Sequence, residues 1–226
     1  MRKLTALLLT VSICALTACA GMSARPDVQS AFQQGLALFN QGQYQEAIPH
    51  FTQATQLDPE FDRAYLYLGR VYLNLGRWQE AISPLRTALR LAPEQTKQEV
   101  LSLLIDALMG AATHHVQQGN LQAAIPLFKE VLKLRPQFTT ATRQLVMALL
   151  TLGSQRLSQG KAAAALDAYL ETTHLAPDNV EAYLGLARAF LQQRDWSKAL
   201  AAVHSALRLS PTRLDALSLL QQLQNR

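Results

Sequence analysis

The sequence predicts an all-α protein, a solenoid of five helical hairpins followed by a capping helix. Three observations predict it. In residues 62–95, Tyr65, Leu68, Gly69 and Tyr72 recur at spacings of three and four, Gly76 interrupts, and Trp78, Ala81, Leu85, Ala88 and Leu91 resume the pattern up to Pro93. That stretch reads as one helical hairpin, too small to bury its own apolar faces, so it needs neighbours of the same kind. The chain supplies them, because counting back from Pro59, Pro93, Pro136, Pro177 and Pro211 aligns five segments without an internal gap. Composition agrees: Ala, Leu and Gln are abundant, β-branched residues are few, and Gly and Pro sit at turns and repeat boundaries.

The aligned columns carry the structural content. Twelve residues before each proline stands Ala: Ala47, Ala81, Ala124, Ala165 and Ala199. Two residues before it stands Leu: Leu57, Leu91, Leu134, Leu175 and Leu209. The turn column holds Gly42, Gly76, Gly119, Gly160 and then Arg194, and a second small column holds Gly35, Gly69, Ala112, Gly153 and Ala187. Small residues mark where two helices touch, and Leu followed by Pro ends the second helix. These columns, with the 34-residue spacing from Pro59 to Pro93 and from Pro177 to Pro211, resemble the tetratricopeptide repeat. The resemblance covers residues from about 28 to 211 and implies a right-handed α-solenoid with repeats at about 28–61, 62–95, 96–138, 139–179 and 180–213. Arg194 departs from the turn glycine, and His115 and Arg156 depart from a column that holds Leu38, Tyr72 and Phe190, which points to looser third and fourth repeats.

From the N-terminus, Arg2 and Lys3 precede an apolar run from Leu4 to Leu16 and small residues around Cys19. This has the form of a secretory signal, and a run of 13 residues is too short for a mature membrane span, which takes about 20. Leu16-Thr17-Ala18-Cys19 resembles the bacterial lipobox, which implies a signal peptide at 1–18 and a lipidated, palmitate-bearing Cys19 opening a tether at 19–27. Ordinary cleavage to a soluble periplasmic protein is the alternative. Cys14 leaves with the signal, so the mature chain forms no internal disulfide. By resemblance to Gram-negative lipoproteins, Ala20 in place of Asp implies the periplasmic face of the outer membrane. Without the first 18 residues the chain has 19 basic and 16 acidic side chains, a balance that gives no reason to expect nucleic acid.

The third and fourth repeats are 43 and 41 residues long by their prolines. Residues 94–118 and 138–159 lack Pro, and each reads as one lengthened first helix whose apolar residues (Val100, Leu103 and Leu104; Leu145, Met147 and Leu149) argue against a loop. The added turns are expected at the start of each first helix, projecting from one edge of the superhelix. Pro49, Pro84 and Pro126 sit early in second helices, where they bend the start at the cost of few hydrogen bonds. After Pro211, Leu214, Leu217, Leu220 and Leu223 form the stripe of a capping helix over 212–224.

No catalytic, cofactor or metal constellation emerges. His114 and His115 are adjacent and point about 100° apart on a helix, so they share no metal. His50, His174 and His204 stand alone; there is no nucleophile elbow and no phosphate cradle. The reading is therefore a non-enzymatic protein-binding scaffold. In this family the first helices line the concave face, and a stripe there takes Phe32, Leu36 and Phe39, then Leu66, Arg70 and Leu73, then Met109, Thr113 and Val116. It continues through Leu150, Ser154 and Leu157 to Leu184, Arg188 and Leu191. The stripe is either inter-helix core or an apolar groove with cationic points at Arg63, Arg70 and Arg188, suited to a peptide segment. Arg70 and Arg188 have Asp62 and Glu181 as nearby acids, or else reach for an acidic partner. The family's Lys and Asn pattern for clamping a C-terminal carboxylate is absent.

Resemblance to lipoproteins of this architecture implies partners in an envelope machine: a pilus or secretion pore, outer-membrane protein assembly, or cell-wall enzyme recruitment. An accessory subunit of polysaccharide export or cell-wall hydrolysis is the alternative, disfavoured by the few aromatic residues in the stripe.

Overall fold

The computed structural model describes residues 27–225; the signal sequence, Cys19 and most of the tether lie outside them. Those residues form eleven α-helices: α1 (Val28–Asn40), α2 (Tyr44–Leu57), α3 (Asp62–Asn74), α4 (Trp78–Leu91), α5 (Glu94–Gln117), α6 (Leu121–Leu134), α7 (Thr139–Ser158), α8 (Ala162–Leu175), α9 (Val180–Gln192), α10 (Trp196–Leu209) and α11 (Leu214–Gln224). Each helix packs on the one before and the one after it, the contact pattern of an α-solenoid.

One turn geometry joins the helices of every hairpin. Gly42, Gly76, Gly119 and Gly160 take φ between +67° and +75°, and Arg194 enters the same left-handed region at +61°. The following N–H then reaches back five residues, as Arg77 to the Tyr72 carbonyl (2.9 Å) and Asp195 to the Phe190 carbonyl (2.9 Å), closing a Schellman-type cap. Pro49, Pro84 and Pro126 lie inside α2, α4 and α6, as the sixth, seventh and sixth residue of the helix, so each forfeits one intrahelical bond.

Inside each hairpin a small residue receives a large one. The alanines of the invariant column are all fully buried. A β-carbon added at Gly35 would come within 2.9 Å of Phe51, at Gly69 within 2.4 Å of Leu85, and at Gly153 within 2.8 Å of Tyr169. In the other two hairpins Ala112 clusters with Phe128, and Ala187 with Val203. The third and fourth hairpins are as tightly filled as the rest, with Phe128, Leu145 and Ala165 buried. The departure at His115 has a local cost instead, a buried Nδ1 without a hydrogen-bond partner.

The lengthened helices do not simply overhang. Five residues after the proline that closes the hairpin before, Ala64 in α3, Ala141 in α7, Ala182 in α9 and Ala216 in α11 are all fully buried; in α5 the buried residue is Val100. From that docking residue to the small residue of the same helix is five positions in α3 and α9, but twelve in α5 and α7. The difference of seven is about two turns, so the apolar face returns within about 20° while the hairpin shifts by about 10 Å. Side-chain pairing shows the same shift: Gly185 lies against Tyr169, eight residues before its proline, whereas Gly110 lies against Trp78, fifteen before. The extra turns therefore lie between two packed surfaces rather than projecting from the edge, except for the exposed start of α5.

Three apolar residues leave the core that periodicity gives them. Met147 is 56% exposed. In α11, Leu219, Leu220 and Leu223 pack inward, but Leu214 is 81% exposed and Leu217 also faces solvent, because α11 has no second helix among the described residues to cover that side.

Candidate functional site

First helices of neighbouring hairpins touch directly, α1 with α3, α3 with α5 and α7 with α9, and second helices do so less. The first helices thus line the inside of the curve. Of the stripe expected there, Phe32 and Leu184 are fully buried and belong to the core, contrary to a groove position. Phe32 is enclosed by Phe51, Phe61 and Tyr67, and Leu184 by Ala206 and Ala216, because both point into the wedge between the second helix of their own hairpin and the start of the next first helix. Leu36, Phe39, Leu66, Leu73, Met109, Leu150 and Leu191 are half-buried, sharing core contacts with an open edge. Cys19 lies outside the described residues.

The arginines are engaged, though not by the acids adjacent in sequence. Arg63 lies 5.0 Å over the Phe32 ring. Arg70 lies 5.3 Å over Tyr67 and 5.8 Å over Phe39, and meets Glu99 of α5 at 3.6 Å. Arg188 meets Asp215 of α11, also at 3.6 Å. Glu181 is taken by Arg213, which also hydrogen-bonds Asp215 at 2.9 Å. That hydrogen bond from Arg213 holds the Asp215 carboxyl below its ordinary value. Exposed pairs of this kind contribute little, and the Arg70 and Arg188 side chains remain 36% and 46% exposed, so both stay open to another group at small cost.

Two hollows open beside α7. The larger, about 380 Å³, lies between α7 and α9, with Tyr169 as its floor, Leu150, Ser154 and Gln155 on one side, and Gly185 and Arg188 on the other. Burial pushes the Tyr169 phenol above its ordinary value, against a smaller opposing effect of Arg188, so it stays protonated at neutral pH. A smaller hollow, about 180 Å³, lies where the turn after α5 meets Gln144, Met147 and Thr151 of α7. Sequence reasoning passed over Tyr169, Gly185, Gln155 and the exposed position of Met147. The one legible signal was a glycine at 185 where Tyr67 stands in the second repeat, and its meaning depends on which ring lies opposite.

No metal-binding group of three His, Cys, Asp or Glu occurs among the described residues. The rings of His114 and His115 are 6.4 Å apart and tilted by 51°, and His114 is occupied with Gln118 at 2.8 Å.

The sequence profile described as tetratricopeptide repeat matches residues 32–96, 109–155 and 150–213. The chain belongs to the tetratricopeptide repeat family. Its architecture is similar to that of a tetratricopeptide repeat protein from Bacteroides fragilis, with a TM-score of 0.58 at 16% identity, over 88% of this chain and 98% of that one. In sequence it is similar to human Protein O-mannosyl-transferase TMTC3, 26% identical over 187 residues, and to the Arabidopsis thaliana Protein CTR9 homolog, 25% identical over 153 residues. Those matches take 78% and 68% of this chain but 19% and 13% of the relatives, so they report the repeats and not the whole proteins. A tetratricopeptide repeat array is a protein-interaction scaffold, and this array offers its open surface along the first helices. No helix among the described residues is long and apolar enough to cross a membrane.

Proposed function

We infer that this chain is a lipid-anchored adaptor of the bacterial envelope, held by acylated Cys19 at the periplasmic face of the outer membrane, and that it assembles an envelope machine by binding extended protein segments along its first helices. The observation that carries the binding role is the pair of hollows beside α7, one floored by Tyr169 and bordered by Arg188, both opening on the face that family members use for proteins. What supports the anchor is Leu16-Thr17-Ala18-Cys19 behind a basic, apolar leader. Residues 20–27 would then link the lipid to α1, long enough to hold the array off the membrane surface.

The test has two parts. Intact mass of the protein recovered from membranes should show an acylated N-terminal Cys19, and Cys19→Ala should move it to the soluble periplasmic fraction; a mature chain beginning at Gly21 defeats the anchor. A photo-crosslinking residue at Gln155, on the open side of α7, should capture a protein partner in cells, whereas the same residue at Thr87 on α4 should not. Crosslinks from Thr87 alone would place binding on the outer helices and overturn the reading.

A further inference from the structure

The two ends of the groove are built on the same plan with one part missing. In α3, Tyr67 stands two residues before the small residue Gly69 and projects into the first groove. Its ring stacks on Phe51 at 5.6 Å with planes 28° apart, meets Phe39 edge-on at 5.3 Å, and lies under Arg70, three residues further along. Phe51, the floor of that arrangement, is eight residues before Pro59.

In α9 the corresponding parts are Gly185, two residues before Ala187; Arg188, three residues on; and Tyr169, eight residues before Pro177. The floor ring and the guanidinium are there, and the ring between them is not. Tyr169 presses on the bare backbone of Gly185, where even a β-carbon would meet it at 2.3 Å. Above it is the hollow of about 380 Å³, room for one aromatic side chain with its backbone passing outside. The Arg188 side chain is 46% exposed, and among the described residues no ring lies beneath it as Tyr67 lies beneath Arg70. Other first helices that dock in the same register carry a side chain where α9 has Gly185: Tyr67 in α3 and Leu219 in α11, each packed against its core cluster.

We propose that the hollow over Tyr169 is a specificity pocket that admits a Tyr or Phe side chain from an extended segment of a partner protein, seated between the Tyr169 ring and the Arg188 guanidinium as Tyr67 is seated between Phe51 and Arg70. An anion is the poorer fit. Glu181 stands on the rim, and Asp215 already faces Arg188, so the charge around the opening is balanced. A planar, polarisable group uses the face of the guanidinium without competing for Asp215. The hydroxyl of Tyr169 and the side chains of Ser154 and Gln155 make no hydrogen bonds among the described residues and are left for the partner's backbone or a tyrosine hydroxyl. This inference rests on the reading that partners bind along the first helices.

The probes are N-acetyl-tyrosine N-methylamide, its leucine counterpart and acetate, titrated into the ¹⁵N-labelled full chain and followed by NMR. The tyrosine probe is expected to shift the Gly185 and Arg188 amides and to saturate at a concentration about tenfold below the leucine probe, reflecting the stacking that leucine lacks. Acetate should leave both signals in place. Ser154→Trp, which fills the hollow from the α7 side, should abolish the response, and Arg188→Gln should weaken it several-fold. The proposal is overturned if leucine binds as well as tyrosine, if acetate alone shifts Gly185, or if tyrosine binding is unchanged in a folded Ser154→Trp variant. Should that variant fail to fold, unchanged tyrosine affinity in Arg188→Gln overturns it. Partner crosslinks from Gln155 without tyrosine binding would sink this inference and leave the scaffold reading standing; tyrosine binding with crosslinks only from Thr87 would do the reverse.

Discussion

Replacing Gly69 with Ala measures how closely the two helices of a hairpin meet. The new β-carbon would lie 2.4 Å from Cγ and 2.5 Å from Cδ2 of Leu85, which is fully buried and cannot swing aside. Overpacking of a tight core site costs about 1–3 kcal/mol. The better helix propensity of Ala offsets about 1 kcal/mol of that, so a net destabilisation of about 0–2 kcal/mol is expected. The chain contains its own remedy, since in the fifth hairpin Ala187 packs with Val203, a smaller residue at the position of Leu85. Leu85→Val alone removes one methylene and should cost about 1 kcal/mol. Combined with Gly69→Ala it should cost nothing further, giving a favourable coupling of up to about 2 kcal/mol between the two sites, equal to whatever Gly69→Ala costs alone. Urea unfolding of the four proteins, followed by far-UV circular dichroism, closes the cycle. If Gly69→Ala stabilises the protein by the full propensity gain, or if the two changes are additive, the helices do not approach as described.

Three further outcomes are expected. Arg194→Gly relieves a left-handed residue that costs about 1–2 kcal/mol and adds about 0.5–1 kcal/mol of unfolded-state freedom, so thermal unfolding should report a gain of about 0.5–1 kcal/mol; no gain would mean that the turn holds Arg194 without strain. Because the hydrogen bond from Arg213 lowers the folded-state value of the Asp215 carboxyl, its support for α11 is present at neutral pH and lost as pH falls through that value; amide exchange in α11 should quicken in acid, and Arg213→Ala should remove the pH dependence. Deleting residues 142–148 of α7 keeps the helix face within about 20° and should preserve helical content and cooperative unfolding, whereas deleting residues 142–146 turns the face by about 140° and should lose both. Equal behaviour of the two deletions would refute the two-turn account of the long helices.

The sequence by itself determined the hairpins, their number and their close contacts, because each of these is written in short-range periodicity and in side-chain size. A turn that needs positive φ selects Gly42, Gly76, Gly119 and Gly160, and a β-carbon that would strike Phe51 or Leu85 keeps Gly35 and Gly69 small. The two long helices were legible for the same reason, as runs without a breaker. What only the tertiary structure decided is how one hairpin sits on the next. A stripe at spacings of three and four is the same whether a residue meets a neighbouring helix or solvent, so Phe32 and Leu184 proved to be core and Met147 surface. Ion pairing followed that docking too: Arg70 found Glu99 and Arg188 found Asp215, each on the next first helix, in place of Asp62 and Glu181. The hollow over Tyr169 has the same origin, because it opens only where the superhelix sets the Tyr169 ring of one repeat against the bare backbone of Gly185 in the next.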